Sequence, residues 1–163
     1  MTLRRAVLLA CSVVAQAGPA LVRPAAAGDI TAFLSEGRPS EVWDRGYGAA
    51  LSFSLFRLVV LEGEAARMPA VGEERDMTSF TASALLALPA GKLTPYGGLG
   101  VGLFRQTDGS DSDTGTLRAL IVGAKLTLGG LVVLKAEYRN FELSGEPLLQ
   151  ADSRISVGAG ISF

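Results

Sequence analysis

From Asp29 onward, apolar and polar residues alternate with a period of two, the pattern of strands that keep one face apolar. The last segment carries it most cleanly. Ile155, Val157, Ala159, Ile161 and Phe163 fall on one side, and Arg154, Ser156, Gly158, Gly160 and Ser162 on the other. In the segment before it, Val132, Leu134, Ala136 and Tyr138 oppose Lys135, Glu137 and Arg139. Further back, Leu120, Val122, Ala124, Leu126 and Leu128 oppose Gly123, Lys125 and Thr127, and Leu99, Val101 and Leu103 oppose Gly98, Gly100 and Gly102. Phe80, Ala82, Ala84, Leu86 and Leu88 oppose Ser79, Thr81 and Ser83; Val59, Leu61, Gly63 and Ala65 oppose Glu62 and Glu64. Ala49, Leu51, Phe53 and Leu55 oppose Gly48, Ala50, Ser52 and Ser54. A weaker segment, Asp29 to about Ser35, sets Ile30, Ala32 and Leu34 on one side. The pattern predicts eight strands.

The links between them alternate in length. Phe56-Arg57-Leu58, Pro89-Ala90-Gly91-Lys92 and Gly129-Gly130 are short, whereas residues 36–45, 68–76, 106–115 and 142–152 read as long polar loops. Short turns at one end and long loops at the other are the layout of an outer-membrane barrel. An even strand count returns both ends of the chain to the short-turn side, which that layout places in the periplasm. Of sixteen carboxylates, twelve fall in the four long segments: Glu36, Glu41, Asp44, Glu73, Glu74, Asp76, Asp108, Asp111, Asp113, Glu142, Glu146 and Asp152. None sits in mid-strand on the apolar face, where a charge facing lipid is costly.

Residues 1–27 read as a cleaved secretory signal. Arg4 and Arg5 precede an uncharged apolar run over 6–14, and small-residue cleavage sites follow at Ala15-Gln16-Ala17 and Ala25-Ala26-Ala27. The second is favoured, because the strand pattern starts directly after it. The run is too short for a spanning helix, which needs roughly 20 apolar residues. Cys11, the single cysteine, lies in this segment within a weak resemblance to a lipoprotein processing box. The remaining domain, residues 28–163, has no cysteine and no histidine. Removing 1–27 takes three arginines and no acid, leaving twelve cations against sixteen acids and a net charge of −4. No basic stripe remains for nucleic acid.

Alternation alone does not separate a membrane barrel from a soluble one. The composition of the polar face favours the membrane barrel. That face consists mostly of Gly, Ser, Thr and Ala with few long charged residues, which makes a poor water-facing surface. It makes a good lining for an eight-stranded barrel, whose interior only just holds side chains. Its charges are of both signs: Glu62, Glu64 and Glu137 with Lys125, Lys135, Arg139 and Arg154. Brought together inside, these seven form a candidate lumen network, since unpaired they are expensive. Aromatic residues near the segment ends, Phe56, Tyr96 and Phe163 at the short turns and Trp43, Tyr47, Phe80, Phe104 and Phe141 at the long loops, suit interfacial girdles.

From residue 28 to 163 the sequence resembles the small eight-stranded outer-membrane barrels of the OmpA/OmpX type. The C-terminal strand Arg154-Ile155-Ser156-Val157-Gly158-Ala159-Gly160-Ile161-Ser162-Phe163 carries most of the resemblance. Thr94-Pro95-Tyr96-Gly97-Gly98-Leu99-Gly100-Val101-Gly102 and Leu134-Lys135-Ala136-Glu137-Tyr138-Arg139 look like strands five and seven of that family. The resemblance implies an all-β, antiparallel up-and-down transmembrane barrel in the bacterial outer membrane. It also implies outer-membrane lipid and lipopolysaccharide as surroundings, a monomeric state, and Val157, Ala159, Ile161 and Phe163 as the signal read by the barrel-assembly machinery. Anchoring to the cell wall, as in two-domain members, is not expected from the resemblance.

Chemical motifs are sparse. Gly98-x-Gly100-x-Gly102 is followed by no helix pattern and reads as barrel lining, not as a phosphate loop. Asp108, Asp111, Asp113 and Gly115 fail the EF-hand pattern, because twelve residues counted from Asp111 end on Val122. Without histidine an acid–base hydrolase has no support. No catalytic residue, metal or cofactor is expected. The expected role is structural or surface-interacting, with a narrow solute channel and a lipocalin-like binder of a lipophilic ligand as alternatives.

Overall fold

A computed structural model describes residues 28–39, 44–56, 58–69, 75–108, 111–144 and 151–163. The predicted signal segment lies outside them. Eight strands follow in order: β1 (Gly28–Pro39), β2 (Asp44–Phe56), β3 (Val59–Pro69), β4 (Arg75–Ala87), β5 (Leu93–Asp108), β6 (Asp111–Leu128), β7 (Val132–Ser144) and β8 (Ala151–Ser162). Each pairs antiparallel with its neighbours, and β1 pairs with β8, so the sheet closes into a barrel. Closure leaves no strand edge open, so every backbone polar group of a strand can meet another strand.

The alternation fixes the faces. In β7 the odd residues from Val133 to Phe141 turn inward and are buried, while the even ones are exposed. Every strand follows the same rule, so the predicted apolar sides all point out. Ile30, Leu34, Leu51, Phe80, Leu99, Val101, Leu120, Val122 and Val157 are among the large apolar residues left exposed. The inside holds the core. Met68, Met77, Phe104, Leu117 and Phe141 fill it toward the long-connection end, and Val60, Leu85 and Ala87 toward the short turns.

Two features differ from the sequence reading. Part of each segment read as a long loop is strand. The β5–β6 ladder runs to Asp108↔Asp111, that of β1–β2 to Gly37↔Asp44, and β7 pairs with β6 as far as Ser144. Polar residues interrupt the apolar alternation there, yet β-branched Thr107, Thr114 and Thr116 still favour extended backbone. Eight of the twelve loop acids, Glu36, Asp44, Asp76, Asp108, Asp111, Asp113, Glu142 and Asp152, therefore stand on strands. Glu41, Glu73, Glu74 and Glu146 lie outside the described residues. The second difference concerns aromatics. Tyr47, Phe80 and Phe163 are exposed, but Tyr96, Phe104 and Phe141 are buried inside. They share parity with the inward residues of β5 and β7, and parity overrides position along the strand. Trp43 is outside the described residues.

The short turns are tight. Gly129 and Gly130 take φ values of 61° and 79°, and the Leu131 N–H donates to the Leu128 carbonyl at 3.2 Å. Two successive left-handed residues suit glycine and match the strand twist. Gly28 and Phe163 exchange backbone hydrogen bonds at this same end.

Candidate functional site

The charges on the inward face converge in the middle of the lumen. β3 contributes Glu62 and Glu64, two residues apart and therefore on one face. β7, on the opposite wall, contributes Lys135, Glu137 and Arg139 by the same spacing, and β8 contributes Arg154. Lys135 Nζ lies 2.6 Å from Glu62 Oε2 and 3.1 Å from Glu137 Oε2. The Arg139 guanidinium reaches Glu62 at 2.8 Å, Glu64 at 2.9 Å and Glu137 at 2.5 Å. Arg154 donates to Glu64 Oε1 at 2.5 Å. All six are buried. Three carboxylates meet three cations, so the cluster is neutral, as a low-dielectric interior requires.

The register brings the two arginines face to face, since Arg139 pairs with Arg154 across β7 and β8. Like charges directly opposite repel. Glu64 resolves this by accepting from both, one on each oxygen. The Arg154 guanidinium also lies 5.1 Å from the Phe33 ring centre and 5.5 Å from that of Phe141, within cation–π range.

Neutral residues complete the cluster. Ser52 donates to Glu62 at 2.9 Å, and the Tyr96 hydroxyl donates to Glu137 at 2.9 Å. Tyr96, Gly123 and Glu137 occupy one row across β5, β6 and β7. A Cβ on Gly123 would come within 2.5 Å of the Tyr96 hydroxyl, so the glycine lets the ring cross β6 to its carboxylate. Its place near a strand end predicts Tyr96 in the outer girdle, and Ser52 joins the cluster as a residue outside the predicted seven. The even parity that Tyr96 shares with Gly98 and Gly100 is the signal that places it inside.

Of the seven predicted network residues, six form this cluster. Lys125 is separate: its ammonium lies 2.8 Å from Asp29 Oδ2 near the short-turn end. The alternation marks Asp29 only as a strand start, although it shares parity with the inward Thr31. Between the Lys125–Asp29 pair and the main cluster is a cavity of about 20 Å³, lined by residues including Ser52, Glu62, Tyr96 and Lys135. That is room for about one water molecule.

Carboxylate oxygens of Glu62, Glu64 and Glu137 all lie within 4.8 Å of one another, close enough to share a metal ion. Here Lys135, Arg139 and Arg154 supply the positive charge instead. Val157, Ala159 and Ile161, expected to belong to an assembly signal, are exposed on the outer face of β8, and Phe163, expected to end it, is exposed just after the strand.

This architecture, a closed eight-stranded barrel with apolar exterior and charged interior, is that of the small outer-membrane barrels. Neisserial surface protein A is similar at a TM-score of 0.66 and 15% identity, covering 83% of this chain and 96% of that one. The N-terminal barrel of Pseudomonas aeruginosa OprF gives 0.59 and 17%, and the attachment invasion locus protein of Yersinia pestis gives 0.58 and 18%. Each of those two comparisons covers 83% of this chain and 97% of the other. At such identities the likeness is one of fold. No family model and no curated relative matches the sequence.

Proposed function

We propose that the chain is a non-enzymatic outer-membrane protein in which the barrel is a filled anchor and the long-connection end faces outward to meet partners. The observation that carries this reading is the outward face. It exposes Leu, Val, Ile and Phe on all eight strands, far more contiguous apolar surface than a soluble monomer tolerates. A bilayer is the solvent that suits it. The interior supports an anchor over a channel, because the neutral cluster and the apolar layers on either side fill the lumen. Both described ends then lie on the periplasmic side, with Val157, Ala159, Ile161 and Phe163 available to the assembly machinery. The barrel acts as a monomer amid lipid and lipopolysaccharide. Neighbours of this fold named for surface and attachment roles make a surface-interacting role the natural one.

Refolding into lipid vesicles tests the reading. Unboiled protein is expected to migrate faster than boiled protein on a detergent gel and to give no single-channel conductance in planar bilayers. Solubility as a folded monomer without detergent would overturn the membrane reading, and steady conductance would overturn the filled anchor.

A further inference from the structure

Residues 28–163 contain no cysteine and only two methionines, Met68 and Met77. The fold sets these two sulfur-bearing side chains next to each other. They are register partners across β3 and β4, and both are buried on the inward face. Met68 is the last inward residue of β3. With Phe104, Leu117 and Phe141 the pair makes the apolar layer between the ion cluster and the long-connection end.

Glycines give Met68 its course. A Cβ on Gly46 would lie 2.6 Å from Met68 Cγ, and one on Gly37 would lie 2.7 Å from its sulfur. The side chain therefore leaves β3, passes over Gly46 of β2 and sets its sulfur against Gly37 of β1. Each methionine also has a hydrogen-bond donor beside it. Gln106 Nε2 donates to Met77 Sδ at 3.9 Å, a weak bond because a thioether is a poor acceptor. Near Met68 stands Ser35, 4% exposed, with its Oγ 2.8 Å from the same Gly46 Cβ position. That hydroxyl has no hydrogen-bond partner among the described residues. A buried hydroxyl left so costs stability, and an oxygen on the neighbouring sulfur would satisfy it.

We propose that Met68 and Met77 form a site of oxidation by peroxide, with Ser35 and Gln106 as the groups that receive the sulfoxide oxygens. A sulfur lone pair attacks one peroxide oxygen and the O–O bond breaks. The proton of the attacked oxygen passes to the leaving one, which departs as water; sulfur loses two electrons and the peroxide gains them. Dithiol-dependent reduction returns the thioether, the oxygen again leaving as water. Such oxidation usually disrupts a core, because it makes a flexible apolar side chain polar. Here the two donors offset that cost. The barrel takes up two oxygens, its apolar layer turns polar, and it stays closed.

The test treats the full chain, refolded in uncharged detergent micelles, with hydrogen peroxide and locates the added oxygen by mass spectrometry of its peptides. Met68 and Met77 should each gain one oxygen while the unboiled protein keeps its gel shift. Urea titration then compares Ser35→Ala with the unaltered chain in both states. In the oxidised barrel the variant should raise the unfolding equilibrium constant by about fivefold or more, the worth of one buried hydrogen bond. In the reduced barrel the change should stay below about twofold, since the hydroxyl has no bond to lose. In Met68→Leu, whose remaining sulfur is beside Gln106, Ser35→Ala should have that same small effect in either state.

Loss of the gel shift on oxidation of the unaltered chain would overturn the proposal. So would sulfurs that take oxygen only after unfolding in urea. An equal effect of Ser35→Ala in both states would remove Ser35 as the receiving group and the proposal with it, as would a redox-dependent effect that persists in Met68→Leu. A reduced chain without a gel shift would bring down the membrane reading instead, a result distinct from any of these.

Discussion

Along β7, adjacent residues meet two different solvents and are specified in two different ways. Lys135, Glu137 and Arg139 turn inward, and each is held by named partners on β3 or on its own strand. Val132, Leu134 and Tyr138 turn outward and are more than two-fifths exposed. Inside, identity and geometry matter, because a buried charge without its partner is destabilising. Outside, the requirement is polarity alone, since one hydrocarbon side chain serves lipid about as well as another. Moving one residue along the strand therefore exchanges a jigsaw for a solvent.

The sharpest way to break the comparison is to remove one inner partner. Arg139→Leu leaves Glu62, Glu64 and Glu137 with only Lys135 and Arg154 to balance them. Unfolding free energy in vesicles should fall by about 3–5 kcal/mol, the range for a buried pair broken on one side. Urea titration followed by gel shift measures it. A loss below about 1 kcal/mol would mean that the lumen is wetter than its packing implies.

Next in size is a charge on the other face. Leu99, 67% exposed on β5, should become a liability as Leu99→Arg, costing about 2–4 kcal/mol if it lies near the bilayer midplane. In a soluble barrel the same change would be neutral or helpful. The experiment therefore also separates the two solvents, with the sign of the stability change as its readout.

The difference between faces explains how much could be read from the sequence. Period-two alternation is strong in a barrel with unlike solvents on its two sides, so all eight strands and their outward sets were legible. The six clustered charges were legible as members of one face, because parity put them there. Their pairing was not, since Glu62 meets Arg139 across 77 positions of chain and only closure of the sheet brings those walls together. Tyr96, Phe104 and Phe141 were misplaced by reading position along the strand before parity. The strand ends near Asp108 and Asp111 were missed because a hairpin polar on both faces leaves no alternation to read. Nothing in the pattern announced Asp29 as the partner of Lys125, which lies on the far side of the chain from it.

The coupling inside the lumen gives a finer measure. Glu62→Gln and Lys135→Met each leave a charge short of its partner, whereas the double variant removes one charge of each sign. The double should be less destabilising than the sum of the singles, by about 0.5–3 kcal/mol for residues in one network. Additive effects would count against direct pairing at 2.6 Å.

The smallest effect is expected where the outer face is altered within its own chemistry. Val101 is 63% exposed and Val133 is fully buried, so the same substitution to leucine samples both solvents. Val101→Leu adds one methylene to a surface bathed in hydrocarbon and should change stability by less than about 0.5 kcal/mol. Val133→Leu forces that methylene into a packed lumen and should cost about 1–3 kcal/mol. Equal penalties at the two sites would mean that the outer face is packed against something specific, and lipid would no longer suffice to describe it. A near-zero cost at both would mean that the lumen has slack the buried side chains do not show.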